Sequence, residues 1–364
     1  MTTGRRWLIV ALGIALVIGT PLALRAVPAN DSSVDAGVLL EQIESSADSP
    51  FSGYVETLGT LQLPVADSFT DVGALFGERT RIRVWWRSSD DWRVDKVLPT
   101  GETDLYHDAE GTTVWEYEES RVTWMNDPDI ALPRTSDLLP PEFARRLLED
   151  VDRRELARLP AEHVAGRDAL GLRLTPSARQ SSIDHVDIWA DPASGIPLRL
   201  EVYAKGDDQA AFMSTFMEFS SDRVRASETA LSQPPGAEYD YDDVVDIADA
   251  ADQYSPLVAP RTLAGLTSSA DSRLRAVGVY GSGVTQLIAI PLWDDAAGPL
   301  RDQMKLNPGT RRVNEGHVLS VGPLGILLTR VPYDGGGWLL AGTVTERTLS
   351  EAARDIDRFQ VLRR

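Results

Sequence analysis

From about residue 51 apolar and polar positions alternate with a period of two, broken at short intervals by Gly, Asp, Ser and Pro. The spacing predicts strand after strand: GYVETLGTLQL, then RTRIRVWWRSSDDWRVDKVL folding over Ser88–Asp91, then ETDLYHDAEGTTVWEYEESRVTWMN folding at Glu110-Gly111 and near Glu119-Ser120. Loops this short cannot carry a crossover, so neighbouring strands are expected to run antiparallel. Ile82, Val84 and Trp86 share one side of their strand, opposite Arg81, Arg83 and Arg87; Trp92 and Val94 oppose Asp91, Arg93 and Asp95. A sheet with one apolar and one charged face must cover the first with helices or by curling. Helical spacing predicts the cover: 35–46, a short piece within 65–77, and 140–159, where Pro140 and Pro141 suit a first turn. The sheet then resumes with HVAGRDALGLRLTP, HVDIWADPASGIPLRLEVY and AAFMSTFMEFSS. In the middle one Val186, Ile188 and Ala190 face one way, Asp187 and Trp189 the other. Asp191-Pro192 and Gly195 supply the turn.

Residues 232–256 change character: Pro234-Pro235-Gly236, then aspartates among alanines, then Pro256. This reads as an acidic, Pro-rich linker spanning 226–260. Asp240, Asp242 and Asp243 lack the glycine and closing glutamate of a calcium loop. Beyond it a small α+β domain, 261–364, is expected. It has two strands around Gly281-Ser282-Gly283, a short helix in GPLRDQMKL, two strands within 317–345, and a final helix LSEAARDIDRF capped by Thr348 or Ser350.

The amino end differs from all of this. Arg5 and Arg6 precede an uncharged run from Trp7 to Leu24, and Val27 and Ala29 offer a small-residue cleavage site. Residues 1–29 therefore read as an export signal, either cleaved or retained as an anchor through residues 7–24, with the bulk of the chain outside the cytoplasmic membrane. Having no cysteine, the chain can form neither disulfides nor thiol-based zinc or nucleophile sites. At 43% hydrophobic and 25% charged residues the composition is that of a globular protein, which excludes wholesale disorder. The formal net charge of −19 makes nucleic acid a poor partner.

No catalytic constellation emerges. There is no G-x-S-x-G, and the glycines of GVYGSGV sit between strands rather than at a helix start. His107, His163, His185 and His317 are scattered without ligand spacing. His185 with Asp187 reads as a surface pair on a strand, and Glu116 with Glu118 as outward carboxylates. No cofactor and no metal are expected. The aromatics are more suggestive: they recur on strands, and a half-covered sheet leaves room for an apolar pocket. Its candidate lining is Ile82, Val84, Trp86, Trp92, Trp115, Met213, Met217 and Phe219.

Three stretches carry a resemblance. WADPASGIPLRLEVY resembles the W-x-D-P-x-[ST]-G-x-P-x-[RK] hairpin of LolA/LolB-like proteins, especially the MucB/RseB branch. FSGYVETLGTLQLP is similar to that branch's opening strand, and VWWRSSDDWRVD to its W-Y-x-x-P-x-x-W-R-V-D hairpin. The resemblance covers roughly 35–225, in the style of actinobacterial relatives. LAGL and VGVYGSGVTQLIAIPL resemble the branch's carboxy-terminal domain. The resemblance implies an α+β fold: a LolA-like curved antiparallel half-barrel with covering helices at 35–225, followed by a smaller α+β domain. It implies no catalysis, a lipid or acylated protein as ligand of the first domain, and a membrane anti-sigma factor as partner of the second. A lipid or lipoprotein carrier is the alternative function, and an envelope-acting hydrolase a third.

Overall fold

Antiparallel pairing of consecutive hairpins organises the computed structural model, which describes residues 28–364 apart from 62, 64–69, 129, 233–234, 269–274, 331–335, 360 and 363–364. The expected export signal or anchor thus lies almost wholly outside the described residues. Among those described, no helix is long and apolar enough to cross a membrane.

In chain order the first part comprises α1 (Ala36–Ser45), β1 (Phe51–Gly59), α2 (Thr70–Gly77), β2 (Arg79–Ser88), β3 (Asp91–Leu98), β4 (Gly101–Asp108), β5 (Gly111–Glu116), β6 (Arg121–Met125), α3 (Pro140–Leu147), β7 (Leu156–Val164), β8 (Arg167–Leu174), β9 (Ile183–Ala190), β10 (Pro197–Ala204) and β11 (Ala210–Ser220). After the single turn α4 (Ala226–Thr229) comes β12 (Glu238–Asp242). The twelve strands form one sheet in the order β12-β6-β5-β4-β3-β2-β1-β11-β10-β9-β8-β7, curved and unclosed. Its inner face is apolar, as the alternation requires. Leu39, Leu40 and Ile43 of α1 and Ala144 and Leu147 of α3 are buried in one cluster with Leu172, Ile188 and Leu200 of the strands. Asp35 caps α1 by accepting from the Gly37 amide at 2.8 Å, as an N-cap should.

The hairpin of β9 and β10 turns as its sequence foretells. The Asp191 carboxylate accepts from the Ser194 amide at 3.0 Å and the Ser194 hydroxyl at 2.7 Å, and Gly195 takes φ +75°. A Cβ at Gly195 would lie 2.3 Å from the Gln42 carbonyl oxygen of α1. Gly195→Ala is therefore expected to destabilise the protein by about 2 kcal/mol or more, the left-handed conformation adding to the clash. A lowered midpoint in thermal unfolding checks this; an unchanged midpoint would mean that α1 does not dock there.

Three expectations give way to pairing. Helix 140–159 stops at Leu147: Asp150 takes φ +56°, and Leu156–Val164 pair with β8 as the edge strand. Strand partners available in three dimensions override the local helical pattern there. The acidic segment is not a bare connector. Tyr239 and Tyr241 alternate with Glu238, Asp240 and Asp242, a strand pattern, and β12 pairs in parallel with β6. α5 (Ile247–Tyr254) follows, capped by Asp246, whose Oδ1 accepts from Ala248 and Asp249 amides at 2.8 and 3.0 Å. Residues 317–345, expected as two strands, hold most of three.

The second part comprises the two-residue strands β13 (Leu257–Val258), β14 (Thr262–Leu263) and β15 (Leu266–Thr267), then β16 (Gly278–Ser282), β17 (Thr285–Leu292), α6 (Asp294–Leu306), β18 (Arg311–Arg312), β19 (Gly316–Val321), β20 (Leu324–Thr329), β21 (Gly337–Gly342), α7 (Glu346–Phe359) and β22 (Val361–Leu362). Six strands form its sheet, in the order β16-β17-β21-β20-β19-β18. One face buries Leu319, Ile326 and Leu328 with Leu300 and Met304 of α6; the other buries Val318, Leu327 and Leu340 with Leu349 and Ile356 of α7. α7 begins one turn earlier than the sequence suggests, and Thr345 caps it, its Oγ1 3.3 Å from the Thr348 amide.

Main-chain bonds tie the two parts together. The Ser182 amide donates to the Thr343 carbonyl at 3.1 Å and the Thr345 amide to the Gln180 carbonyl at 2.8 Å. Val284 joins the core beneath the first sheet.

Candidate functional site on the two faces of the curved sheet

Register builds a ladder of rings on the inner face. Phe51, Trp86, Trp92 and His107 stand opposite one another on β1 to β4. Neighbouring rings stack at 5.6, 5.5 and 5.0 Å, within 18° of parallel. Phe216 meets Phe51 edge-on at 5.8 Å, and Phe219 meets Phe216 at 5.2 Å. A bulge explains how residues three apart share a face: Tyr54 pairs with Glu218 and Val55 with Phe216, leaving Met217 unpaired. The ladder ends where His107 Nδ1 lies 3.2 Å from the Thr112 hydroxyl and 3.3 Å from Asp127 Oδ2.

Of the eight residues expected to line a pocket, Ile82, Val84, Trp86, Trp92 and Phe219 lie on this inner face. The first four are buried, with Leu139 fully buried in the same cluster. This stretch of the concavity is filled by the protein's own side chains. Two of its polar atoms, Trp86 Nε1 and Thr57 Oγ1, are shut from solvent without a hydrogen-bond partner. The other three do not join them. Trp115 pairs with Asp104 and Met213 with Glu201, both on the opposite face, and Met217 stands 52% exposed in the bulge.

That opposite face carries an ion network which the sequence does not announce. Arg93 Nε and Nη2 donate to the two oxygens of Asp95 at 2.6 and 2.9 Å, and Nη2 also to Asp104 at 2.9 Å. Arg83 bridges Asp95 at 3.2 Å and pairs with Glu102. The Arg93 guanidinium lies 5.0 and 4.9 Å from the ring centroids of Trp85 and Tyr106. Asp95 and Asp104 are buried, and Asp104 Oδ1 has no partner. Burial first, and the Asp95 charge second, push the Asp104 carboxyl up to about 7. Asp95, Glu102 and Asp104 also have the spacing of a metal cluster. Arg83 and Arg93 already neutralise them, and a divalent cation would sit beside two guanidiniums. Around the network the same face exposes Tyr117, Tyr239 and Tyr241, with Tyr241 stacked on Trp124 at 4.9 Å. The period-two spacing of Trp115 with Tyr117 and of Tyr239 with Tyr241 was the signal available in the sequence.

His185 Nε2 lies 3.7 Å from Asp187 Oδ2, on the strand where the sequence placed the pair. Both Asp187 oxygens accept from Arg173 at 2.6 Å, while His185 Nδ1 faces Asp184 at 2.7 Å and its ring stacks on Tyr203 at 4.3 Å.

The curved, unclosed, mostly antiparallel sheet with its helices matches a MucB/LolA-like α+β fold. Among solved structures, a chain of the Pseudomonas aeruginosa MucA/MucB complex matches at a TM-score of 0.50 and 16% identity, covering 88% of this chain and 97% of that one. At that identity the likeness is one of fold. A crystal structure of MucB gives 0.47 and 14% identity over 89% and 98%. A LolA superfamily protein from Nitrosomonas europaea gives 0.21 and 15% identity over 53% and 94%. No family model and no curated protein matches the sequence.

Proposed function

We propose that this chain is an extracytoplasmic, non-enzymatic regulator of the MucB/RseB type, reached through its amino-terminal export segment. Its second domain engages a single-span membrane anti-sigma factor, and its half-barrel takes a lipid or an acylated protein. One observation carries the reading. The fold match to the MucA/MucB complex chain covers 88% of this sequence, more than the first domain alone supplies, which supports a two-domain regulator over a lone half-barrel. A carrier needs only the half-barrel; the second domain, fixed to it by main-chain hydrogen bonds, suits a protein that reads one event and passes it on.

The inner face also sets how a ligand would enter. Leu139 is buried in the same cluster as the ring ladder, so an acyl chain must displace its segment before it meets Trp86. The partnerless Trp86 indole N–H and Thr57 hydroxyl would then find acceptors in the ligand's ester or amide oxygens. Crosslinking in the native envelope, followed by identification of the captured protein, tests the proposal. A single-span membrane protein with a sigma-factor-binding cytoplasmic part is the expected product; capture of outer-membrane lipoproteins in transit would favour the carrier instead.

A further inference from the structure

In a chain of net charge −19, the second domain gathers several basic side chains around one histidine. β18 and β19 place Arg312 opposite His317. Alternation puts Thr310 and Arg312 on one face, and His317 on the same face as Leu319, which is buried against Leu300 and Met304 of α6. Next to those two anchors α6 presents Arg301 and Lys305, four residues apart and therefore on one flank. Arg301 Nη2 extends over β21, lying 3.6 Å from where a Cβ on Gly337 would be. That nitrogen and the Thr310 hydroxyl are both shut from solvent with no hydrogen-bond partner. Among the described residues Arg301 and Arg312 form no ion pair, while the exposed Asp302 pairs with Lys305 at 2.9 Å and also feels the Arg301 charge. Burial, then the charges of Lys305, Arg301 and Arg312, hold His317 below its ordinary value. Arg311 points to the other face and pairs with Glu346.

Buried donors without acceptors require an acceptor, and converging cations require an anion. We propose that Arg301, Lys305, Arg312, His317 and the Thr310 hydroxyl form a binding site for a phosphate group. A phosphate offers several acceptor oxygens in a tetrahedron and up to two negative charges, matching donors that arrive from a helix, a loop and a strand pair. The group comes either as free phosphate or on a lipid headgroup; the chemistry at the protein is the same.

The imidazole of His317 reports on the site directly. In the whole exported chain labelled at histidine, inorganic phosphate added at constant ionic strength is expected to shift the His317 resonances saturably and raise its pKa by about 1, as an anion offsets the three cations. Arg312→Ala, at the surface, and Arg301→Ala, beneath it, should each weaken the response about tenfold. Unchanged signals from His107, His163 and His185 certify the fold, and if Arg301→Ala fails to fold, Arg312→Ala still decides. A linear response that chloride reproduces, or one that survives Arg312→Ala, overturns the site. Vesicles of phosphatidylglycerol, set against phosphatidylcholine, separate the sources. Binding lost with Arg312→Ala and competed by phosphate assigns a lipid headgroup; indifference to vesicles with saturation by phosphate assigns the free ion.

Discussion

Trp86→Ala is expected to destabilise the protein by about 3–5 kcal/mol, the range for deleting a large aromatic side chain from a packed core. Trp86 is 3% exposed, stacked between Phe51 and Trp92 in the ladder that spans four strands. Its removal leaves a void that rigid neighbours on β1 and β3 cannot close. Urea unfolding of the two proteins, with the slope held in common, measures the difference. The result also decides the state of the inner face. A tryptophan standing at the wall of an open pocket would contribute only about 1 kcal/mol of ring contact. A small loss at Trp86 would therefore mean that the concavity is open in solution and that Leu139 does not pack against the ladder. Phe219, half-buried beyond the bulge, should cost distinctly less than Trp86 when truncated.

The ion network on the opposite face predicts an unusual dependence on pH. In the folded chain the Asp104 carboxyl holds its proton up to about 7, against an ordinary value of 3.8. Between those values folding takes up a proton, so stability falls as pH rises through the window and is fullest on the acid side. A tenfold change in proton affinity is worth about 1.4 kcal/mol. The partly wet rim of the cluster screens part of this, so the expected loss from pH 5 to pH 8 is on the order of 2 kcal/mol. Asp104→Asn should abolish that loss and stabilise the protein at pH 8. The amide oxygen can still accept from Arg93 and Tyr106, and the amide nitrogen replaces the partnerless Oδ1 beside Asp95. Unfolding midpoints of both proteins at the two pH values give the comparison. A wild-type midpoint that rises with pH, or a variant that loses stability at pH 8, would show that the cluster keeps all three carboxylates charged.

The sheet was legible because its strands are amphipathic: a period of two can be read wherever one face is dry, as in Ile82, Val84 and Trp86. The β9–β10 hairpin was legible to the residue, since Asp191 and Gly195 encode its turn. β12 was hidden by its own acids, which read as a solvated connector, although the tyrosines between them kept the strand period. The region after Leu147 failed for the opposite reason: a helical repeat continued in sequence past the point where pairing with β8 took over. For the candidate site, alternation located the inner-face residues but not their packing, which depends on Leu139 from a distant segment. Trp115 and Met213 were misplaced because bulk and apolarity do not state which face of a strand a residue occupies. The Arg93–Asp95–Asp104 network left no trace, because buried ions read in sequence as any charged outer face. Arg301, Arg312 and His317 are likewise separated along the chain and meet only through the register of β18 with β19 and the seating of α6.

The proposed regulator is tested most directly by native mass spectrometry of the protein purified from its own envelope in mild detergent. A one-to-one complex with a single-span membrane protein, dissociating when the second domain's surface is altered while the half-barrel stays folded, is the predicted result. The chain recovered alone, or carrying successive lipoproteins that it releases to an acceptor, would contradict it.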